Sequence, residues 1–282
     1  VPPIKVSQQA VREPLLTWDI VAQIEAAREQ RRDSLRCSLD LGRTESTIAL
    51  DSEGWQFQGR HYTVPQPCRE RTIYYWSGAQ FEPLARYRGS LIKLVPTEWG
   101  APTFEIDGIK MLPTARISPY ADARAKVALI EPRGKVILDC CAGLGYFAAC
   151  CLEAGAQQVA SFEKNPDVLW LRGLNPWSPP SDARLMLTHA DITLHIQTLA
   201  AASFDAILHD PPRFGIAGEL YSQAFYEELA RVLKRRGPLF HYTGAPNKLS
   251  SGRDLAGEVI VRLTRAGFRA QRRGDGVLAI RQ

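Results

Sequence analysis

The chain has 282 residues, 45% apolar and 23% charged, with a formal net charge of +5. It is long enough for one large core plus a smaller domain, and with no membrane-length apolar run and no signal-peptide pattern a cytoplasmic setting is expected. The six cysteines form no C-x-x-C motif and include the adjacent pairs Cys140-Cys141 and Cys150-Cys151, which excludes zinc-finger spacing and a secreted disulfide framework and predicts reduced thiols with no structural metal.

After Pro2-Pro3 the pattern predicts a helix over 17–32, with Asp19, Glu25 and Glu29 on its exposed faces. Strand-like runs follow at 35–41, 46–50, 55–64, 72–76 and 91–95. Phe104-Glu105-Ile106, Asp107-Gly108 and Ile109-Lys110-Met111 read as a hairpin around a two-residue turn. Together these elements make an N-terminal helix plus β-rich domain over residues 1–112. Leu39-Asp40-Leu41-Gly42 has some likeness to a phosphate loop, but without a partner motif it reads as a strand and turn. Residues 113–282 make the second domain, which opens with a bridge and a helix over 120–130.

The most informative stretch is VILDCCAGLG, from Val136 to Gly145. An apolar strand ends on Asp139, the chain turns through Gly143 and Gly145, and a helix begins at Tyr146. Glycines let backbone N–H groups approach a ligand closely, and a helix N-terminus favours electron-rich groups. Glu163 ends the next apolar run, at the distance where a carboxylate holds two ribose hydroxyls. The segment therefore predicts an adenosine-containing cofactor. Gly143-Leu144-Gly145-Tyr146-Phe147-Ala148 also fits the G-x-G-x-x-A form of the dinucleotide fingerprint. In dinucleotide folds, however, the first glycine follows the strand at once, whereas Cys140, Cys141 and Ala142 intervene here. A carboxylate at Asp139 would repel a pyrophosphate and suit an ammonium group. Cys140 and Cys141 read as small packed thiols, and Cys141 is grouped with the cofactor-binding residues of the loop.

The D-x-x-x-G-x-G pattern of Asp139, Gly143 and Gly145 resembles motif I of the class I S-adenosylmethionine (SAM) dependent methyltransferases. That resemblance implies an α/β fold with a Rossmann-like sheet and SAM as cofactor. It continues along the C-terminal half. The run 158–162 ends in Glu163-Lys164-Asn165-Pro166, where the family binds the ribose hydroxyls. The run 185–190 ends at Asp191-Ile192, a family position near the adenine amino group, although Asp191 equally suits a helix N-cap. The run 204–209 opens into Asp210-Pro211-Pro212-Arg213, the position of motif IV, which faces the methyl group and the substrate. Family members often close the segment before the first strand over the cofactor, which implies Tyr120 or Arg124. Apolar stripes predict helices over 218–235 and 254–266, and runs at 269–272 and 277–280 suit the antiparallel hairpin typical of the family.

Asp210-Pro211-Pro212 resembles the D/N-P-P-Y/F motif of methyltransferases that modify amino nitrogens. Successive prolines remove N–H donors and stiffen the chain, leaving carbonyl oxygens free to point into a pocket. With the Asp210 side chain, they accept hydrogen bonds from an amine and aim its lone pair at the methyl sulfonium. Arg213 replaces the aromatic of that motif and suits an acidic group on the substrate. Asp-Pro-Pro-Arg is also similar to uridine-5-methylating RNA enzymes, but those use a later cysteine, and none follows Cys151. Tyr221 and Tyr242 are candidates for the substrate wall and equally for core, since Tyr221, Phe225, Leu229 and Val232 fall at helical spacing.

The run 209–214, with 104–109, 174–177 and 218–222, resembles a group of predicted methyltransferases common in archaea and loosely labelled spermidine-synthase-like, over about residues 36–280. The expectation is a SAM-dependent methyltransferase acting on a nitrogen nucleophile, an RNA base or a small amine. One alternative is an aminopropyltransferase of the spermidine/spermine synthase type, though only Asp210 and Glu219 stand near the expected pocket mouth to attract a polycation. Another is a nucleic-acid-binding module with a non-catalytic SAM site. The clusters Lys234-Arg235-Arg236 and Arg272-Arg273 flank turns, where solvated charge is the ordinary reading.

Overall fold

The structure is a computed structural model that describes residues 13–212, 215, 217–244 and 254–282. Among these, contacts divide the chain into two units: residues 13–122 with Trp170–Ser178, and Ala123–Leu169 with Pro179–Gln282. The sequence division assigns 113–122 and 170–178 to the second domain, whereas the contacts group them with the first. Two tryptophans give the physical reason. The Arg86 guanidinium lies 3.7 Å over the Trp170 ring, which Tyr75 meets edge-on. The Trp177 indole N–H donates to Leu41 O at 3.0 Å.

The first unit contains β1 (Leu15–Leu16), α1 (Trp18–Glu29), β2 (Ser34–Cys37), β3 (Ser46–Leu50), β4 (Trp55–Phe57), β5 (Arg60–Tyr62), β6 (Tyr74–Trp76), β7 (Phe81–Pro83), β8 (Ala85–Tyr87), β9 (Leu91–Val95), β10 (Thr103–Ile106) and β11 (Ile109–Lys110). They form three small antiparallel sheets ordered β1-β6-β7, β2-β3-β4-β5 and β11-β10-β9-β8. The buried Trp55 ring stacks on Tyr62 at 4.6 Å within a core that includes Leu16, Ile24 and Ile48. The run expected as one strand at 55–64 folds back on itself at Gln58-Gly59, both left-handed. The hairpin around Asp107-Gly108 is present, with φ of 49° and 78° at its turn.

In chain order follow α2 (Pro119–Ala128), whose start groups with the first unit, and then alternating strands and helices: β12 (Val136–Asp139), α3 (Tyr146–Glu153), β13 (Gln158–Glu163), α4 (Pro166–Leu174), whose end from Trp170 groups with the first unit, β14 (Leu185–His189), α5 (Ile192–His195), β15 (Ala206–His209), α6 (Gln223–Val232), β16 (Pro238–Tyr242), α7 (Leu255–Arg265), β17 (Phe268–Arg273) and β18 (Gly276–Arg281). The seven strands are ordered β14-β13-β12-β15-β16-β18-β17, with β12 to β16 parallel and β18 antiparallel to both neighbours. Helices cover such a sheet, so its inner strands are continuously apolar rather than alternating; β15 is buried at every position. The expected helix over 218–235 is broken at Ser222, whose hydroxyl oxygen accepts the Phe225 N–H at 3.1 Å and caps α6. A 3₁₀ turn, Gly218–Tyr221, precedes it. Among the described residues no helix is long and apolar enough to cross a membrane.

The strand order reverses at β12, with β13 on one side and β15 on the other, and in open α/β sheets that crevice beyond the carboxyl ends is where ligands bind. The position of β16 beside it depends on Gly276 of β18, where a methyl group would lie 2.5 Å from His241 O and 2.6 Å from the Phe240 ring. Gly276→Ala is therefore expected to lower unfolding free energy by about 1–3 kcal/mol, measured by urea denaturation.

Candidate active site

The strands β12 and β13 end in an acidic residue, β15 runs directly into one, and β14 is followed by one after a single alanine. Asp139 closes β12 and is fully buried between Ser161 of β13 and Leu208 of β15. Its Oδ2 accepts the Ser161 hydroxyl at 2.7 Å. From there the chain leaves the sheet through a tight loop in which Ala142 N–H donates to Phe162 O at 2.8 Å and Gly145 N–H to Ala142 O at 2.7 Å. Gly143 and Gly145 have φ of 48° and 83°, a region that other residues enter only at a cost of roughly 1 kcal/mol.

Glu163 closes β13 and reaches back to that loop. Its Oε2 accepts the Gly143 N–H at 3.0 Å, while Oε1 accepts the Asn165 N–H at 2.8 Å. Asp191 follows β14 and caps α5, its Oδ1 accepting the N–H (2.9 Å) and hydroxyl (2.7 Å) of Thr193. The N-cap reading of Asp191 is thus the one the geometry displays. Lys164 Nζ lies 3.6 Å from Asp191 Oδ2 and 3.2 Å from Glu219 Oε1. Burial opposes the Lys164 charge, but the two carboxylates outweigh it and raise its pKa.

Asp210 follows β15. Burial pushes the Cys141 thiol well above its ordinary range, with the neighbouring Cys140, Glu163, Asp210 and Asp139 adding to the effect. Cys141 is therefore a protonated thiol at neutral pH and no nucleophile. Burial also raises the Tyr221 phenol, reinforced by Asp210, Cys141 and Tyr242. Charge on Asp210 thus acts on both Cys141 and Tyr221, with Glu163 and Asp139 acting on the first and Tyr242 on the second. The Tyr221 hydroxyl donates to Pro212 O at 3.0 Å, so one carbonyl expected to face an acceptor is engaged by the protein. A buried hydroxyl needs such a partner. Arg213 lies outside the described residues. Tyr242 has the buried Lys126 amine 3.8 Å from its ring centroid, and that amine is 3.5 Å from Asp275. Arg124 is an exposed partner of Glu153 at 3.2 Å. Tyr120 belongs to the other unit, where its ring packs 5.4 Å from Trp177. Among the described residues no group of three or more His, Cys, Asp or Glu side chains could hold a metal ion.

No protein-family model matches the chain. Over 213 residues it is 39% identical to the uncharacterized protein MJ1233 of Methanocaldococcus jannaschii, covering 75% of this chain and 73% of that protein. The chain belongs to the MJ1233 family. Among solved structures, a spermidine synthase in complex with the transition state analogue AdoDATO is similar with a TM-score of 0.58 and 15% identity, over 80% of this chain and 84% of that one. The spermidine synthase of Thermotoga maritima gives 0.55 and 16% over 78% and 81% of the two chains. MNMC2 from Aquifex aeolicus gives 0.50 and 19% over 70% and 71%. At such identities the likeness shows the fold, and this MJ1233-family protein has a Rossmann-like α/β sheet, as those spermidine synthases do.

Sequence reasoning passed over one polar cluster in this MJ1233-family site. His209, immediately before Asp210, and His241, on the adjacent β16, are both fully buried with ring centroids 4.4 Å apart. His209 Nε2–H donates to Leu220 O at 3.0 Å. His241 Nδ1–H donates to Tyr242 O at 2.8 Å, and its Nε2 accepts the Tyr226 hydroxyl at 2.9 Å. The only sequence signal was a histidine at a position inside an otherwise apolar strand.

Burial pushes the His209 imidazole down to about 4, with the Leu220 bond opposing weakly, and His241 falls well below its usual range for the same reason. In the unfolded chain a histidine takes its proton near pH 6.5. Between pH 6.5 and 4 the unfolded state therefore binds more protons, and acidification lowers stability. His209 alone is expected to account for about 3 kcal/mol of that loss. Urea melts from pH 7 to pH 4 check this; a flat profile, or one unchanged in His209→Asn, would contradict it.

Proposed function

We propose that this chain is a SAM-dependent methyltransferase whose acceptor is a nitrogen nucleophile, an RNA base or a small amine. One observation carries the choice of cofactor: the Glu163 carboxylate on the Gly143 N–H at 3.0 Å. In a dinucleotide fold the glycine-loop N–H groups serve a pyrophosphate. A carboxylate held there repels that group, and Asp139 at the neighbouring strand end adds the same sign. An acidic rim of this kind suits a molecule with a sulfonium, an ammonium and a ribose. SAM, when bound, supplies an activated methyl group. Asp139, Cys141, Gly143 and Gly145 would line its methionine end, Glu163 would hold the ribose hydroxyls, and Asp191 would face the adenine.

On this reading Asp210 accepts a hydrogen bond from the acceptor amine, orients its lone pair and takes its proton late in the transfer. The stiff Pro211-Pro212 turn, held by Tyr221 through Pro212 O, fixes the direction from which Asp210 acts. Arg213 would bind an acidic group of the substrate and Tyr242 would form part of its wall. Methylation of this type needs positioning and a proton acceptor rather than a covalent enzyme intermediate, which agrees with the protonated Cys141.

The likeness to two spermidine synthases over 80% and 78% of the chain favours one second reading, aminopropyl transfer from decarboxylated SAM. A polycationic acceptor needs several available carboxylates, and Lys164 already engages Glu219 and Asp191. Methyl transfer ranks above it for that reason. A non-catalytic SAM site in a nucleic-acid-binding module has no observation in its favour.

Calorimetry with SAM, decarboxylated SAM and NADH is expected to give tightest binding for SAM. Absence of SAM binding would overturn the proposal, and a preference for decarboxylated SAM would promote the second reading. Glu163→Ala should weaken SAM binding by about 1–3 kcal/mol, the worth of a hydrogen bond to a charged acceptor; unchanged affinity would remove Glu163 from the ribose site. Asp210→Asn should slow transfer of labelled methyl groups to an RNA or metabolite extract while leaving SAM affinity nearly intact. The reverse pattern would assign Asp210 to the cofactor instead.

A further inference from the structure

The opposite edge of the large sheet carries charge of the other sign. Residues just before β12 (Gly134 and Lys135), before β15 (Asp205), at the approach to β16 (Lys234, Arg235, Arg236 and Gly237) and at its start (Pro238) line an open, shallow cavity of about 290 Å³. Four cations there face one carboxylate. The strands concerned, β12, β15 and β16, are adjacent and parallel, so the cavity lies at their amino ends and the acidic rim at their carboxyl ends.

Asp205 is accounted for within the fold. Its Oδ2 accepts the Val136 N–H at 2.8 Å and its Oδ1 pairs with Lys234 Nζ at 2.6 Å. Burial opposes its charge, but Lys234, the Val136 bond and Lys135 together lower its pKa. The Lys135 amine donates to Ile130 O at 2.6 Å. Arg235 and Arg236 are exposed, and among the described residues neither guanidinium has an ion-pair partner. Arg236 is also strained. It holds φ of 64° in a turn closed by Gly237 N–H to Lys234 O at 3.0 Å, with its own N–H donating to Arg281 O at 2.9 Å. Glycine adopts that conformation more cheaply. An exposed guanidinium with no ion-pair partner among the described residues, beside a cationic cavity, is available to an anionic ligand.

We infer that this cavity is a second binding site, remote from the cofactor rim, for a phosphate or diphosphate group. Arg235 and Arg236 supply forked donors for paired phosphate oxygens, and Lys135 and Lys234 supply point charges behind them. The volume is at the small end of ligand sites, suited to one or two phosphate groups rather than a whole nucleotide cofactor. Free diphosphate and the backbone of a nucleic acid present the same chemistry.

The full chain is titrated with inorganic pyrophosphate by calorimetry and with a single-stranded RNA oligonucleotide by fluorescence anisotropy. The same titrations are run on Arg236→Gly and on Arg235→Ala with Arg236→Gly. Glycine relieves the left-handed strain, so thermal stability should hold or rise and a folding failure is not the expected confounder. Saturable binding of either probe, weakened about tenfold or more in the double variant, supports the site, since one charge-assisted bond accounts for a tenfold change. Binding of pyrophosphate alone identifies a free diphosphate ligand. Tighter binding of RNA, with a salt dependence that falls in the variants, identifies a nucleic-acid backbone. Absence of saturable binding by both probes, or binding untouched by the double variant, overturns the inference. Neither probe reports on SAM, and RNA held only as an acceptor at the acidic rim would be untouched by the double variant, so failure of this inference and failure of the proposed methyl transfer are distinguishable.

Discussion

A single carboxylate, Glu163, accepts the N–H groups of both Gly143 and Asn165, and the geometry of the strand ends follows from that. The bond to Gly143 is available only because β13 lies directly beside β12, so that the end of one strand can reach the loop that leaves the other. Gly143 is left-handed at the same point, so the chain turns sharply as it passes that bond. Hydrogen bonds to a charged acceptor contribute roughly 1.5–3 kcal/mol each. Two of them on one side chain hold the glycine loop and the β13–α4 connection in fixed relation. Lys164, between Glu163 and Asn165, then extends the same arrangement to Asp191 and Glu219.

The separation of charge across the sheet has a source in helix direction. Each helix that follows a parallel strand starts at the carboxyl edge, so its positive dipole end lies with the acidic rim. Asp191 uses this directly as the cap of α5, and Asp167 sits in the first turn of α4. At the other edge the helices end, and cations are favoured there: Arg231 is in the last turn of α6 and Lys234 follows just beyond it. The cationic cavity and the acidic rim are therefore two consequences of one wiring of strands and helices.

The glycine loop was legible because its signals are local: an apolar run ending on Asp139, two glycines and an apolar helix from Tyr146 occupy one uninterrupted stretch. The strands β1, β7 and β8 were not, being two or three residues long and too short for any periodicity to register. The break before α6 was readable in principle, since Ser222 is a good N-cap, but the apolar stripe continues through it and masks the stop. Asp191 illustrates a harder limit. An acidic residue between a strand and a helix suits both a cap and a ligand; the Thr193 bonds display the cap and leave the ligand role to experiment. The place of residues 170–178 was invisible for a related reason: α4 looks like any helix of its unit until Trp170 and Trp177 find partners far away in sequence.

The histidine pair narrows how the proposed chemistry must work. A general base is most useful when its pKa lies near the working pH, and burial removes His209 and His241 from that range. Neither can relay a proton from the acceptor at neutral pH, although His209 adjoins Asp210 in the chain. What His209 does is geometric. Its Nε2–H holds Leu220 O, and the next residue, Tyr221, holds Pro212 O. The segment that leaves β15 at Asp210 is thus tied back at both its start and its return. A carboxylate on such a turn loses little orientational freedom when an amine arrives, and that is the condition under which positioning alone lowers a barrier. In the proposed reaction the proton would then go to Asp210.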